Sequence, residues 1–169
     1  MNPELSFQEF ETANFIASKL DALGIEHECI SETGIVALIK CGQEGKVVGL
    51  RADMDALPIT EVEDGRSHRS KKDGIMHACG HDAHSSALLG AAEILNSIKK
   101  DIKGTVKLVF QPGEEKQPGG ASILIKNGVL DNPKVDLMIG QHVMPLIKTG
   151  NVGFRPGLYM ASTDEVFID

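Results

Sequence analysis

Aromatic residues are scarce in this sequence. Tryptophan is absent and a single tyrosine occurs in 169 residues. Set beside 18 glycines, that scarcity suits an α/β protein with many tight turns. No apolar stretch approaches the roughly 20 residues a membrane span requires. Met1-Asn2-Pro3-Glu4 lacks the charged and apolar regions of a signal peptide. Basic residues do not gather either: Arg69-Ser70-Lys71-Lys72 is short and reads as a solvated loop. The net charge of −7 therefore argues against a nucleic-acid or membrane-surface partner. Three cysteines, an odd count without disulfide-like spacing, point to a reducing, cytoplasmic compartment. No Cys-x-x-Cys pair exists, which argues against a thiol-redox protein. Internal repeats and low-complexity segments are also missing.

What remains is a chain long enough to bury a core and form one domain or most of one. Ser6 to Leu23 carries apolar residues at helical spacing and stops at Gly24. Ile35–Ile39 and Lys46–Leu50 are short β-rich runs separated by Gly42 and Gly45, which predicts a hairpin or neighbouring strands. Ala83–Ile98 reads as a long buried helix, Thr105–Phe110 as a strand, Ala121–Asn127 as a helix closed by Gly128, and Val135–Ile139 as a strand. Weaker strand signals lie at Gly150–Phe154 and Glu165–Ile168. Alternating strands and helices imply an α/β sheet flanked by helices. The polar stretch from Pro58 to Ile75 is a long loop of the kind that often carries function.

Chemistry concentrates in Met76-His77-Ala78-Cys79-Gly80-His81-Asp82-Ala83-His84. Residues two apart face the same way in an extended segment but diverge by about 200° in a helix. Cys79 and His81 thus reach one metal only if Cys79-Gly80-His81 is extended, just ahead of the long helix. A thiolate plus an imidazole suits zinc or another borderline transition metal. Alone, the pair also fits a buried cysteine beside a capping histidine.

Position strengthens the metal reading. The run 46–50 leads into Arg51-Ala52-Asp53-Met54-Asp55, the run 105–110 into Gln111-Pro112-Gly113-Glu114-Glu115, and the run 135–139 into Gly140-Gln141-His142. If the three strands are parallel, their carboxyl ends bring these groups to one rim, where sites form in open α/β sheets. Adjacent glutamates diverge, so one of Glu114 and Glu115 can bind metal while the other serves as a general base. A solvated acidic turn after Pro112-Gly113 is the plainer alternative.

These segments, together with Asn2-Pro3-Glu4-Leu5-Ser6, resemble the M20 metallopeptidase family. The closest branch holds N-acyl-amino-acid amidohydrolases, hippurate hydrolases and auxin-conjugate hydrolases. The resemblance covers nearly the whole chain, in order. It implies a zinc-peptidase-like catalytic core, with a mixed, mostly parallel sheet flanked by helices and incomplete at its C-terminus. It implies two divalent metal ions (zinc, manganese, cobalt or nickel), with Cys79 bridging them and His81, Glu115 and His142 as ligands. Glu114 would be the general base and Asp55 the acid that orients the site from behind, with Asp53 the weaker choice. Metal-activated water would then cleave the amide bond of a small N-acyl amino acid.

Departures from the family qualify this. Family members carry an inserted lid or dimerisation domain, through which they form homodimers, then a closing catalytic segment with a final histidine ligand. Residues 1–169 would be a partial catalytic domain. No histidine follows His142, so the second metal site should be weakened. The rival expectation is a non-catalytic remnant that folds partly and binds at most one metal. Among the other residues, His77 and His84 lie close enough to orient a ligand, and Asp82 suits that role or helix capping. Cys29 and Cys41 read as packing residues, and His27 and His68 as surface residues. Gly119-Gly120 reads as a close turn before the next helix.

Overall fold

The computed structural model describes residues 1–160. Its elements run α1 (Phe10–Ala22), β1 (Glu26–Ile30), β2 (Gly34–Lys40), β3 (Gln43–Asp53), α2 (His81–Ser97), β4 (Lys103–Gln111), α3 (Gly120–Lys126) and β5 (Leu137–Gly140). The helix α1 buries Ala13, Ile16 and Leu20, one helical face. It ends as the glycine predicts: Gly24 turns left-handed at φ 63°, and Ile25 N–H reaches back to the Leu20 carbonyl at 3.0 Å.

The five strands form one mixed sheet in the order β1-β2-β4-β3-β5. Parallel pairs join β3 to β4 and β3 to β5, while β1–β2 and β2–β4 are antiparallel. Period-two alternation divides the core between the faces. Leu108 and Phe110 of β4 point toward Ile16 and Leu20 of α1 and Leu88 and Ala92 of α2. Val109 points the other way, into a smaller cluster with Val36, Leu124 of α3 and Val129. Complete burial of Phe110 stabilises the fold by about 1.5–3 kcal/mol.

Two expectations need correction, and one strand was not foreseen. β2 and β3 are neither a hairpin nor neighbours, because β4 lies between them. The Cys41-Gly42 link instead passes the start of β4, giving its N–H groups to the Gly104 and Lys99 carbonyls at 3.1 and 2.8 Å. The edge strand β1 has no counterpart in the sequence reading, since Glu26-His27-Glu28-Cys29-Ile30 shows only one strongly apolar residue. Gly150–Phe154 forms no strand and is exposed throughout. The signal at Glu165–Ile168 lies outside the described residues.

For function, the decisive feature is that β3, β4 and β5 are mutually parallel. Their register sets Asp53 beside Gln111, and Arg51 beside Gly140. The segments that follow all three strands therefore leave from one rim.

Candidate metal centre

Helix α2 begins at that rim. Gly80 precedes it at φ 82°, ψ 23°, so Cys79-Gly80-His81 is not extended as expected. The left-handed turn, which glycine adopts without steric cost, achieves the same convergence. It leaves the glycine face open to Val143, and a Cβ there would collide with that side chain. The segment after β5 can consequently close on the helix start. Cys79 Sγ lies 3.3 Å from His142 Nε2, and ligand atoms of Cys79, His81 and His142 all fall within 4.8 Å of one another.

His81 and His142 each commit Nδ1 to an oxygen acceptor. His81 is buried, with Nδ1 3.1 Å from Asp55 Oδ1. His142 Nδ1 lies 2.7 Å from the Val143 carbonyl oxygen. Both contacts are with acceptors, so each Nδ1 carries the proton and each Nε2 keeps its lone pair for a ligand role. His81 Nε2 points at Glu115 Oε1 across 3.7 Å, and both atoms are buried without a hydrogen-bond partner. Orphaned buried polar atoms are costly, and a cation between them would satisfy both.

Glu115 and Glu114 differ in exposure. Glu115 is half-buried and anchored through its own N–H to Asp55 Oδ2 at 2.9 Å, whereas Glu114 is exposed. One ligand atom from each still meets His81 within 4.8 Å. Asp55 lies behind the site and also accepts the Ser6 hydroxyl at 2.6 Å. Burial works to raise its pKa, but bonds from His81, Ser6 and the backbone of Glu115 and Glu114 outweigh it and hold the group at about 2.

The electrostatics describe a site crowded with negative charge. Burial first, then the charges of Glu115, Glu114 and Asp53, pushes the Cys79 thiol up to about 11. Burial and the neighbouring Glu114 likewise raise Glu115. For His81, burial opposes the charged form, yet Asp55, Asp53 and Glu115 raise its pKa overall. A divalent cation inverts this logic, since it stabilises the thiolate and both carboxylates together. The donor set, one sulfur, two imidazole nitrogens and carboxylate oxygen, fits zinc-like metals.

Asp53 and His84 have a larger part than the sequence reading gave them. His84 lies one helical turn after His81, on the same face, and that spacing was the available signal. Its Nδ1 bonds Asp53 Oδ1 at 2.6 Å, and its Nε2 accepts the Val143 N–H at 2.8 Å. Asp53 is tied in turn to Arg51 at 2.6 Å, and Arg51 to Gln111 at 2.8 Å. A polar chain, buried at Gln111, Asp53 and His84, thus runs from β4 to the residue after His142. His77 stands near the site with a buried, unpartnered Nδ1; burial, with the charge of His81, lowers its pKa. Asp82 is exposed and accepts the Ala83 N–H at 2.9 Å. Cys29 is exposed rather than packed, and His27 is half-buried rather than on the surface. Gly119 N–H bonds the Lys116 carbonyl at 2.9 Å, the close turn before α3 expected of the glycine pair.

The model of peptidase family M20/M25/M40 matches residues 49–167. The chain is 44% identical over 168 residues to an N-acyl-L-amino acid amidohydrolase of Geobacillus stearothermophilus, covering 99% of this chain and 45% of that protein. It is 43% identical over 169 residues to a hippurate hydrolase of Campylobacter jejuni, covering 99% and 43%. A solved Bacillus subtilis protein, described as a dinuclear metal-binding peptidase from the M20 family, superposes with a TM-score of 0.81 at 43% identity. That match covers 86% of this chain and 40% of the other. The chain spans less than half the length of these relatives.

Proposed function

Because the chain belongs to peptidase family M20/M25/M40, we propose that its rim is a metallohydrolase site that cleaves the amide bond of N-acyl amino acids or similar small amides. The observation that carries this reading is the buried, unpartnered pair His81 Nε2 and Glu115 Oε1, with Cys79 and His142 beside it. In this reading Cys79, His81, Glu115 and His142 would hold two divalent ions. The solved M20 relative binds two metals, and the sequence relatives act on N-acyl amino acids by name.

Bound metal supplies positive charge that polarises the acyl carbonyl and makes a water acidic enough to attack it near neutral pH. The remaining work falls to the chain. Glu114, exposed at the rim, takes the proton of the attacking water and returns it to the departing amine. Asp55 fixes the His81 ring so that Nε2 faces the site, and its contact with the Glu115 N–H holds the ligand carboxylate in register. His84 does the same for the segment of His142.

A second reading, one metal and no turnover, draws on the openness of the rim. His142 and Glu114 are both exposed, so the described residues do not exclude bulk water from the site. Native mass spectrometry after incubation with zinc or manganese separates the two. Two ions per folded monomer, with N-acyl amino acid hydrolysis that falls about 100-fold or more in Glu114→Ala, supports the first. One ion and no hydrolysis supports the second.

A further inference from the structure

We propose that Glu9 is a positioning residue for Glu114 and Glu115, holding the pair at the rim from the far side of the Pro112-Gly113 turn. This rests on the reading of those two glutamates as base and ligand. Glu9 immediately precedes α1 and is fully buried. A side chain there ordinarily folds back onto the first N–H groups of its own helix. This one makes no such bond. The N–H groups of Glu11 and Thr12 are taken instead by the carboxylate of Glu4, at 3.1 and 2.8 Å. Glu9 is thereby released to face the other way.

Its Oε1 accepts the N–H of Gly113 at 2.8 Å and the N–H of Phe7 at 2.9 Å, and Oε2 accepts the Thr33 hydroxyl at 2.8 Å. All three partners are neutral. Keeping a carboxylate in such a place is expensive unless its bonds accomplish something a smaller group cannot. Gly113 immediately precedes Glu114 and is left-handed at φ 54°, and a Cβ on it would overlap the Phe7 ring. Its backbone is therefore pinned between that ring and the Glu9 carboxylate. One residue beyond Glu114, the Glu115 N–H is held by Asp55, which Ser6 holds in turn. Glu114 thus lies between two anchored peptides, and the segment Ser6 to Glu9 supplies or braces both anchors. The side chains of the glutamate pair can diverge while their backbone stays fixed, the preorganisation that ligand and base both require.

Cobalt(II) added to the 169-residue chain tests this, followed by its visible d–d bands and by the thiolate absorption of Cys79, beside the urea midpoint of each variant. Glu9→Asp withdraws the carboxylate by one methylene, so it cannot span Thr33 and Gly113 together. It should weaken cobalt binding about 10- to 100-fold and alter the band intensities. Glu9→Gln, whose amide oxygen still accepts from Gly113 while its nitrogen donates to Thr33, should restore most of that loss. Thr33→Val should lower the urea midpoint and leave cobalt binding intact. Wild-type affinity in Glu9→Asp overturns the inference, and so does equal weakening by Thr33→Val, the mark of general loosening. Hydrogen exchange on the unaltered chain gives a check independent of folding in any variant: a Gly113 amide exchanging at the rate of a free loop also overturns it. A wild-type chain that takes up no cobalt sinks the underlying metal-site reading, and this inference with it.

Discussion

Asp55 gathers three donors on one buried carboxylate: the Ser6 hydroxyl, the His81 ring and the Glu115 N–H. Its folded pKa, about 2, is below the unfolded 3.8. A depressed carboxyl contributes stability that is fully present above the unfolded value and is lost as pH falls through the folded one. The shift corresponds to roughly 2 kcal/mol. Urea denaturation of wild type and Asp55→Asn should therefore differ by that much more at about pH 5 than at about pH 2. A difference that stays constant across the window would remove Asp55 as the group responsible. His84 carries a second residue-scale expectation. Replacing it with phenylalanine keeps ring volume but frees the Val143 N–H, and with it the segment of His142. Metal affinity should fall about 10- to 100-fold, with faster exchange at the Val143 amide; unchanged affinity would make His84 a packing residue only. The proposed ligands stood out in the sequence because Cys79 and His81 cluster just ahead of a helix while Glu115 and His142 follow strand ends. Glu9 did not, since a glutamate before a helix looks like an ordinary capping residue until its partner, more than a hundred positions away, is seen.

Elements explain which parts of the fold were readable in advance. The runs behind β3 and β4 are apolar because they lie inside the sheet, β5 is an apolar run at its edge, and the parallel arrangement of the three delivers the rim. β1 was hidden because an edge strand with one face in water needs few apolar residues. The β2–β3 pairing was misjudged because closeness in sequence favours hairpins, whereas β4 competes for both strands and wins by pairing along its whole length. The start of α3 shows how tightly the elements bear on the site. Gly120 opens that helix against the Pro112 carbonyl, and a Cβ there would overlap the oxygen. Gly120→Ala must push α3 away from the turn that carries Glu114 and Glu115. The expected cost is about 1–3 kcal/mol in urea denaturation, accompanied by weaker metal uptake. A variant with unaltered stability would mean that the turn is slack and not a fixed platform.

Across the whole molecule, the two sheet edges are unlike. β1 presents Glu26 and Glu28, charges that discourage edge-to-edge pairing. β5 presents Leu137, Met138 and Ile139, each 40% exposed or more, with no further strand beyond it among the described residues. Leu146, Val152, Phe154 and Leu158 follow, each nearly 90% exposed or above. Opposing this apolar edge is a net charge of −7, which repels a second copy. The two forces respond differently to salt. Raising ionic strength from about 0.01 to 0.15 M shortens the Debye length from about 30 to 8 Å, while apolar contact is scarcely weakened. Sedimentation velocity should therefore find a monomer at low salt and low concentration, and larger species as either is raised. The double change Leu137→Lys and Ile139→Lys should hold the chain monomeric in both conditions by charging the β5 edge. If association persists unchanged in that variant, the contact lies elsewhere; if wild type stays monomeric at high salt, the exposed edge is protected by its geometry.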